Sequence, residues 1–220
     1  LLKFSASLDK DSPFLITASK YLIEKGKKRE AAALLKKAET GVERGEAALY
    51  MAQVFFRDGK YSEAKKSAAP LLLENRYFIK ASFLMADILT MQGDLQGAIA
   101  CMEKASKYSN DMNISAKLAD LHFATGNRVT AFKYYKTAAE RGDASAALKA
   151  ADLLFIYGKP SDARGYYQRA LTLGLSDEKS LQWAYYQYGK MTRNKEYLKK
   201  AALSGGLVGE AAGILAGDKQ

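Results

Sequence analysis

The chain has 220 residues, 48% of them apolar and 26% charged, and a formal net charge of +10. This composition is typical of a folded protein with a buried core and excludes a mainly disordered chain. One cysteine and one histidine exclude a disulfide framework and a Cys/His zinc cage, and no apolar run reaches the about 18 residues of a membrane-spanning helix. We therefore expect no metal, no cofactor and no transmembrane segment.

The first residues are predicted to form a partial repeat. Residues 1–8 have the apolar pattern of a short helix, and Asp9, Asp11, Ser12 and Pro13 are typical of a turn. We interpret residues 1–11 as the second helix of a preceding unit. Because repeat arrays need polar terminal caps and neither end of this sequence has one, we expect the chain to be a piece of a longer protein.

Residues 12–204 contain a glycine that recurs every 31 to 34 residues. Apolar side chains follow helical intervals before and after each glycine, and the glycine supplies the left-handed backbone that ends the first helix. About six helical hairpins are thus predicted, and they are expected to stack because one hairpin cannot bury its apolar face alone. The glycines are Gly26, Gly59, Gly93, Gly126, Gly158 and, in a weaker copy, Gly189.

All units but the last also have a small residue seven positions before the glycine and an alanine five positions after it, as Ala86 and Ala98 show around Gly93. With a period of about 34 residues, this pattern resembles the tetratricopeptide repeat (TPR) family. The segment Ala138–Ala144 is similar to the inter-repeat turn of Sel1-like repeats. The resemblance implies an all-α, right-handed α-solenoid of helix-turn-helix repeats, with first helices along a concave groove and second helices forming the outer wall.

The resemblance further implies that residues three, six and ten positions before each glycine face the groove. These positions combine aromatic rings with carboxylates, which favours a protein or peptide partner carrying basic and apolar residues. The alternative interpretation is that the aspartates make pairs on the helix surface or hydrogen bonds between neighbouring units. The predicted partner-binding residues are Phe56, Phe83, Asp87, Asp120, Phe123, Asp152, Phe155, Trp183 and Tyr186.

The second helices carry much of the lysine and arginine that produces the net charge of +10. A solvated lysine face keeps an alanine-rich array soluble. Binding of an anionic polymer, either a polysaccharide or a nucleic acid, is the alternative. The lysines are spread over all units rather than gathered in one run, which favours the first interpretation.

Catalytic patterns are missing from the sequence. His122 falls at a position that Phe55, Leu89 and Leu154 occupy in other units, so we predict a packed histidine. Cys101 has no histidine companion and is predicted to be a buried structural thiol. We find no phosphate-binding glycine motif and no nucleophile elbow. The chain is therefore predicted not to be an enzyme.

The last residues form a separate pattern, in which Gly205, Gly209, Gly213 and Gly217 recur every four residues. We interpret residues 205–220 as the first helix of a following partial repeat. Each interior glycine costs about 1 kcal/mol relative to alanine, so this helix needs a packing partner. The partner is either the preceding unit, or a missing unit or a second chain.

The predicted function is that of a non-enzymatic protein–protein interaction scaffold. By analogy with the family, a bacterial envelope or exopolysaccharide-export assembly is a setting for such an array. The sequence leaves the compartment open, periplasmic or cytoplasmic.

Overall fold

The structure is a computed structural model that describes residues 9–203 and 205–217, and these residues form helices without any strand. The all-α prediction is confirmed for this part of the chain. The helices are α1 (Phe14–Glu24), α2 (Lys28–Ala38), α3 (Arg44–Arg57), α4 (Tyr61–Ala68), α5 (Phe78–Met91), α6 (Leu95–Ser106), α7 (Met112–Ala124), α8 (Arg128–Glu140), α9 (Ala144–Ile156), α10 (Pro160–Leu173), α11 (Glu178–Thr192), α12 (Lys195–Ala202) and α13 (Gly206–Ala216), with a 3₁₀ helix over Ala69–Leu73. The helix predicted within residues 1–8 lies outside the described residues.

Contacts divide the chain into two compact units, Leu1–Ser109 and Asn110–Gln220. The first unit contains the hairpins α1–α2, α3–α4 and α5–α6. The second contains α7–α8, α9–α10 and α11–α12, followed by α13. Within each unit the second helix of one hairpin packs on the first helix of the next, so the hairpins bury their apolar faces against one another.

The turn inside each hairpin has one recurring hydrogen bond. The backbone N–H of the residue after the turn donates to the carbonyl five residues earlier, as from Asp94 to Leu89 at 2.9 Å and from Lys159 to Leu154 at 2.9 Å. This bond belongs to the helix-ending motif that needs a left-handed residue. Gly93 and Gly158 provide that conformation with φ values of 81° and 70°.

The last hairpin corrects the predicted repeat register. Gly189 lies inside α11, and the left-handed residue of the turn is Arg193, with φ of 53°. The recurring hydrogen bond runs from the Asn194 N–H to the Gly189 carbonyl at 3.0 Å. Gly189 is therefore equivalent to Leu154, four positions before the turn residue, and its assignment as the turn glycine is wrong.

The reason for this misassignment is a size exchange between the two helices of the last hairpin. In the preceding hairpin, the large Leu154 on α9 is paired with the small Ala163 on α10, and both are buried. In the last hairpin the small residue is Gly189, and the large one is Leu198 on α12. A Cβ atom at residue 189 would lie 3.0 Å from the Leu198 Cγ and backbone N, so the glycine is needed for close approach.

The glycines near the end serve different roles, although they recur regularly in the sequence. Gly205 and Gly217 flank α13 with positive φ, whereas Gly209 is buried inside the helix. A Cβ atom on Gly209 would lie 3.2 Å from the Ala202 carbonyl oxygen of α12. Of the two packing partners considered, the structure thus shows the preceding hairpin. The interpretation of α13 as the start of another repeat stays a prediction.

In the described ranges, no helix is long and apolar enough to cross a membrane.

Candidate partner-binding site

The predicted partner-binding residues are distributed over both compact units. Phe56, Phe83 and Asp87 lie half-buried on α3 and α5 of the first unit. The second unit carries Asp120 and Phe123 on α7, Asp152 and Phe155 on α9, and Trp183 and Tyr186 on α11. Each unit has its own candidate surface. Among the predicted residues, the more exposed aromatic rings that lie beside carboxylates are Phe123 and Phe155 of the second unit.

In the second unit, Phe123 and Phe155 are the exposed aromatics at equivalent repeat positions. Their side chains are 47% and 41% exposed, whereas core residues at neighbouring positions are buried. Each follows an aspartate by three residues, one turn of helix, so carboxylate and ring lie on the same side of the helix. We call Asp120, Phe123, Asp152, Phe155 and Trp183 the acidic aromatic face.

Asp120 accepts hydrogen bonds from the next two helices along the chain. The Tyr135 hydroxyl on α8 donates to its Oδ1 at 2.5 Å, and the Lys149 ammonium on α9 donates to the same oxygen at 2.6 Å. The Lys149 Nζ also lies 5.5 Å from the centre of the Tyr135 ring. A carboxylate and an aromatic ring thus hold one cation together.

Asp152 has the same arrangement one hairpin later, but with different donors. The Tyr167 hydroxyl on α10 donates to its Oδ1 at 2.6 Å, and the Trp183 indole N–H on α11 donates to that oxygen at 2.9 Å. Both donors are neutral, so they satisfy the carboxylate without neutralising its charge. Asp152 therefore keeps a negative charge on this face, whereas that of Asp120 is balanced by Lys149.

These contacts support the second interpretation of the sequence for both aspartates, namely hydrogen bonds between neighbouring hairpins. A carboxylate accepts more than two hydrogen bonds, so both aspartates keep acceptor capacity for a partner. Sequence reasoning missed Lys149, Tyr135 and Tyr167 as parts of the site. The available signal was a tyrosine nine positions after the turn glycine, which is present in two of the three units that have an aspartate six positions before it.

The corrected register changes the repeat positions of the two predicted residues on α11. Trp183 now stands ten positions before the turn residue, where the preceding hairpin has Leu148, and it stays on the acidic aromatic face through Asp152. Tyr186 moves to the position of Ala151, which faces the hairpin interior. The centres of the Tyr186 and Trp183 rings lie 5.9 Å apart, and Tyr186 packs against the core of the last hairpin. Its role in partner binding stays a prediction.

The pKa of both buried tyrosines is raised well above the ordinary value of 10.0. Burial is the largest cause, followed by the hydrogen bond to Asp120 or Asp152 and by the negative charge of that aspartate. The neutral, hydrogen-bonded tyrosine therefore stabilises the folded state. That stabilisation is fully present below the ordinary tyrosine pKa and is lost as the pH rises towards the raised value.

We expect this linkage to be visible in an alkaline titration. The free energy of unfolding should fall with pH above about 10, because the unfolded tyrosines release their protons while the folded ones retain them. Tyr167→Phe should make this fall shallower and remove one late step from the ultraviolet tyrosinate titration. Tyr108→Phe, at a residue that is 72% exposed, is the control and should leave the late steps unchanged. A titration of the Tyr167→Phe variant that matches the unaltered chain would contradict the assignment.

The two residues considered for catalysis have packing contacts. The His122 ring stacks on the Tyr134 ring at 5.5 Å with an interplanar angle of 6°. Cys101 is only partly buried, and its thiol contacts the Ser82 carbonyl at 3.6 Å. Burial raises the pKa of the Cys101 thiol, which makes the nucleophilic thiolate scarcer. Over the described residues, no group of three or more metal-ligating side chains is found.

Basic residues of the second helices also have partners within the chain. Lys136 pairs with Glu140 at 3.8 Å, and Lys200 pairs with Glu196 at 2.9 Å. The Arg169 Nε donates to the Ala139 carbonyl at 2.9 Å, at the end of α8. These contacts are those of a solvated, self-paired helix surface, where ion pairs contribute little to stability.

Neither a protein-family model nor a curated protein sequence matches the chain. Several solved structures are similar to this chain. PilF of Pseudomonas aeruginosa has a TM-score of 0.70 at 18% identity, over 90% of this chain and 94% of PilF. YrrB, a TPR protein with an unusual peptide-binding site, has a TM-score of 0.58 at 16% identity, over 85% and 94% of the two chains. The TPR protein TTC0263 of Thermus thermophilus has a TM-score of 0.54 at 15% identity, over 81% and 97%.

The fold is thus an α-solenoid of helical hairpins. Specifically, the chain has the fold of tetratricopeptide repeat proteins, as the sequence pattern predicted.

Proposed function

We propose that this chain is a non-catalytic scaffold that binds a segment of a partner protein on the acidic aromatic face of its second unit. The observation that carries the proposal is the repetition of an exposed phenylalanine beside an aspartate, at Phe123 and Phe155, on successive first helices. Two equivalent anchors on successive hairpins suit a linear segment, because each hairpin offers the same pair of contacts.

The chemistry of this face defines the partner. Exposed aromatic rings favour apolar side chains, and hot spots of protein interfaces are enriched in such residues. The charge that Asp152 retains favours lysine or arginine and repels a carboxylate. A partner segment with alternating basic and apolar residues is therefore expected, and a segment ending in acidic residues is disfavoured. YrrB, which shares this fold, has a peptide-binding site, and that supports binding of this general kind.

The proposal is tested by selecting random linear peptides on the immobilised chain. Selected peptides should be enriched in lysine or arginine together with aromatic or aliphatic residues. The double variant Phe123→Ala/Phe155→Ala should lower their affinity at least tenfold, the effect expected when two anchors of about 1 kcal/mol or more are removed. Val129→Ala, at an exposed apolar residue on α8, is the matched control and should leave the affinity unchanged.

Two outcomes would contradict the proposal. Enrichment of acidic peptides would place binding on the basic helices instead. Binding that survives the double phenylalanine variant but falls steeply with salt would favour the alternative function, capture of an anionic polymer by the outer wall. Binding on the acidic aromatic face should gain only modestly at low salt. The predicted setting in an envelope or exopolysaccharide-export assembly stays a prediction.

A further inference from the structure

Asp120 and Asp152 differ in the charge of their second hydrogen-bond donor. At Asp120 the third helix contributes the charged Lys149, whereas at Asp152 it contributes the neutral Trp183. The Lys149 ammonium contacts both the carboxylate and the Tyr135 ring. Within residues 9–203 and 205–217, the chain thus fills its own cation site at one hairpin, and no lysine or arginine pairs with the next carboxylate.

We propose that Lys149 is a built-in competitor, and that a lysine or arginine of the partner segment displaces it from Asp120. This inference rests on the proposed function, because it concerns the same face. It names the class of group that the site accepts, which is an ammonium or guanidinium cation, since the site already holds one. Displacement leaves Lys149 free to return to water.

The exposure of the pair makes displacement feasible. The side chains of Lys149 and Asp120 are 45% and 46% exposed, so the ion pair is solvated on both sides. Exposed pairs of this kind contribute little to stability, so a partner cation can replace Lys149 at little cost. Tyr135, in contrast, is buried and keeps its hydrogen bond to Asp120 whichever cation is present.

The basic residues of the partner are expected to bind at the two aspartates in a fixed order, because only Asp120 already holds a lysine. A partner with one basic residue should bind first at Asp152, where no lysine has to leave. A second basic residue, placed to reach Asp120, has to replace Lys149. Lys149 therefore lowers the affinity for segments with two basic residues more than for segments with one, which makes it a specificity-determining residue.

The experiment uses two short, capped, fluorescent peptides of lysine and leucine, one with a single lysine and one with two, the other lysines being acetylated. Lys149→Met removes the ammonium but retains an apolar stem of similar length. It should raise the affinity for the two-lysine peptide about two- to fivefold, the effect of removing an exposed ion pair. Affinity for the one-lysine peptide should change less.

A matched control separates this local effect from the general loss of a positive charge. Lys133→Met makes the same charge change at an exposed position on α8 and should raise the affinity for both peptides equally and slightly. Lys149→Arg should behave as the unaltered chain. In an Asp120→Asn background, which removes the site's charge, Lys149→Met should have no more effect than Lys133→Met.

The outcomes distinguish the inference from the proposed function. If Lys149→Met and Lys133→Met act alike while binding still requires Phe123 and Phe155, the competitor role is overturned and the face remains the binding site. If neither peptide binds, or if binding is indifferent to both phenylalanines, the proposed function fails and the inference fails with it. Circular dichroism and thermal unfolding of each variant establish that the fold is retained.

Discussion

Replacing Asp152 by alanine should lower the free energy of unfolding by about 2–4 kcal/mol, because two donors lose their acceptor together. The Tyr167 hydroxyl belongs to a side chain that is 0% exposed, so water cannot easily take the place of the carboxylate. The Trp183 indole N–H loses its partner on the same oxygen. The change therefore removes the hydrogen bonds by which Asp152 on α9 is joined to α10 and α11.

Two further variants separate the contribution of the Asp152 charge from that of its hydrogen bonds to the free energy of unfolding. Asp152→Asn retains an oxygen that can accept both hydrogen bonds and loses only the charge, so it should cost about 1 kcal/mol. Asp152→Ala in a Tyr167→Phe background should cost less than in the unaltered chain, because no buried hydroxyl is left without a partner. Urea unfolding measures all of these, and Trp183, the single tryptophan of the chain, reports the local change by fluorescence.

Asp120→Ala is the matched comparison for this prediction. Asp120 has the same tyrosine contact, but its side chain is 46% exposed and its second donor is an exposed lysine. Water can then replace much of the lost hydrogen bonding, and the free energy of unfolding should fall by about 1 kcal/mol. A cost for Asp152→Ala no greater than that for Asp120→Ala would show that the hydrogen bonds of Asp152 do not hold the hairpins together.

Replacing Gly189 by leucine should destabilise the chain by about 3 kcal/mol, because it overpacks the interior of the last hairpin. The new Cβ atom would lie 3.0 Å from the Leu198 backbone N and 3.1 Å from the Tyr197 Cβ, and neither atom can move without moving α12. Leu198→Ala alone should also destabilise, by about 2–5 kcal/mol, because it leaves a cavity.

The double variant Gly189→Leu/Leu198→Ala should be more stable than the sum of the two changes predicts. It reproduces the arrangement of Leu154 and Ala163 in the preceding hairpin, with the large side chain on the first helix. Gly165→Leu is the matched control, since a Cβ atom there meets nothing within 4 Å, and helix propensity should make that change neutral or slightly stabilising. Additive losses in the double variant would overturn the assignment of Gly189 to the position of Leu154.

The hairpins themselves could be predicted from the sequence because their signals are local. The helix-ending conformation at Gly93 or Gly158 strongly favours a residue without a Cβ atom, and the glycine reveals its position directly. In the last hairpin Arg193 adopts this conformation, and the nearby Gly189 misled the assignment. A non-glycine turn and a glycine used for packing cannot be distinguished by spacing alone.

The candidate site was only partly predictable for a related reason. Repeat positions placed Asp120 and Asp152 on the first helices together with exposed phenylalanines. They did not reveal that one carboxylate holds a lysine and the other a tryptophan. Those partners come from a helix about 30 residues further along the chain, as the 29-residue separation of Asp120 and Lys149 shows.

The sequence by itself determined the repeated helical hairpin, since helix periodicity, turn glycines and alanine positions act over a few residues. Only the tertiary structure decided the packing of the last hairpin and the charge balance of the acidic aromatic face. These depend on which side chains of separate helices meet, and a difference between Lys149 and Trp183 as hydrogen-bond donors changes the net charge of the site while leaving the repeat pattern unchanged.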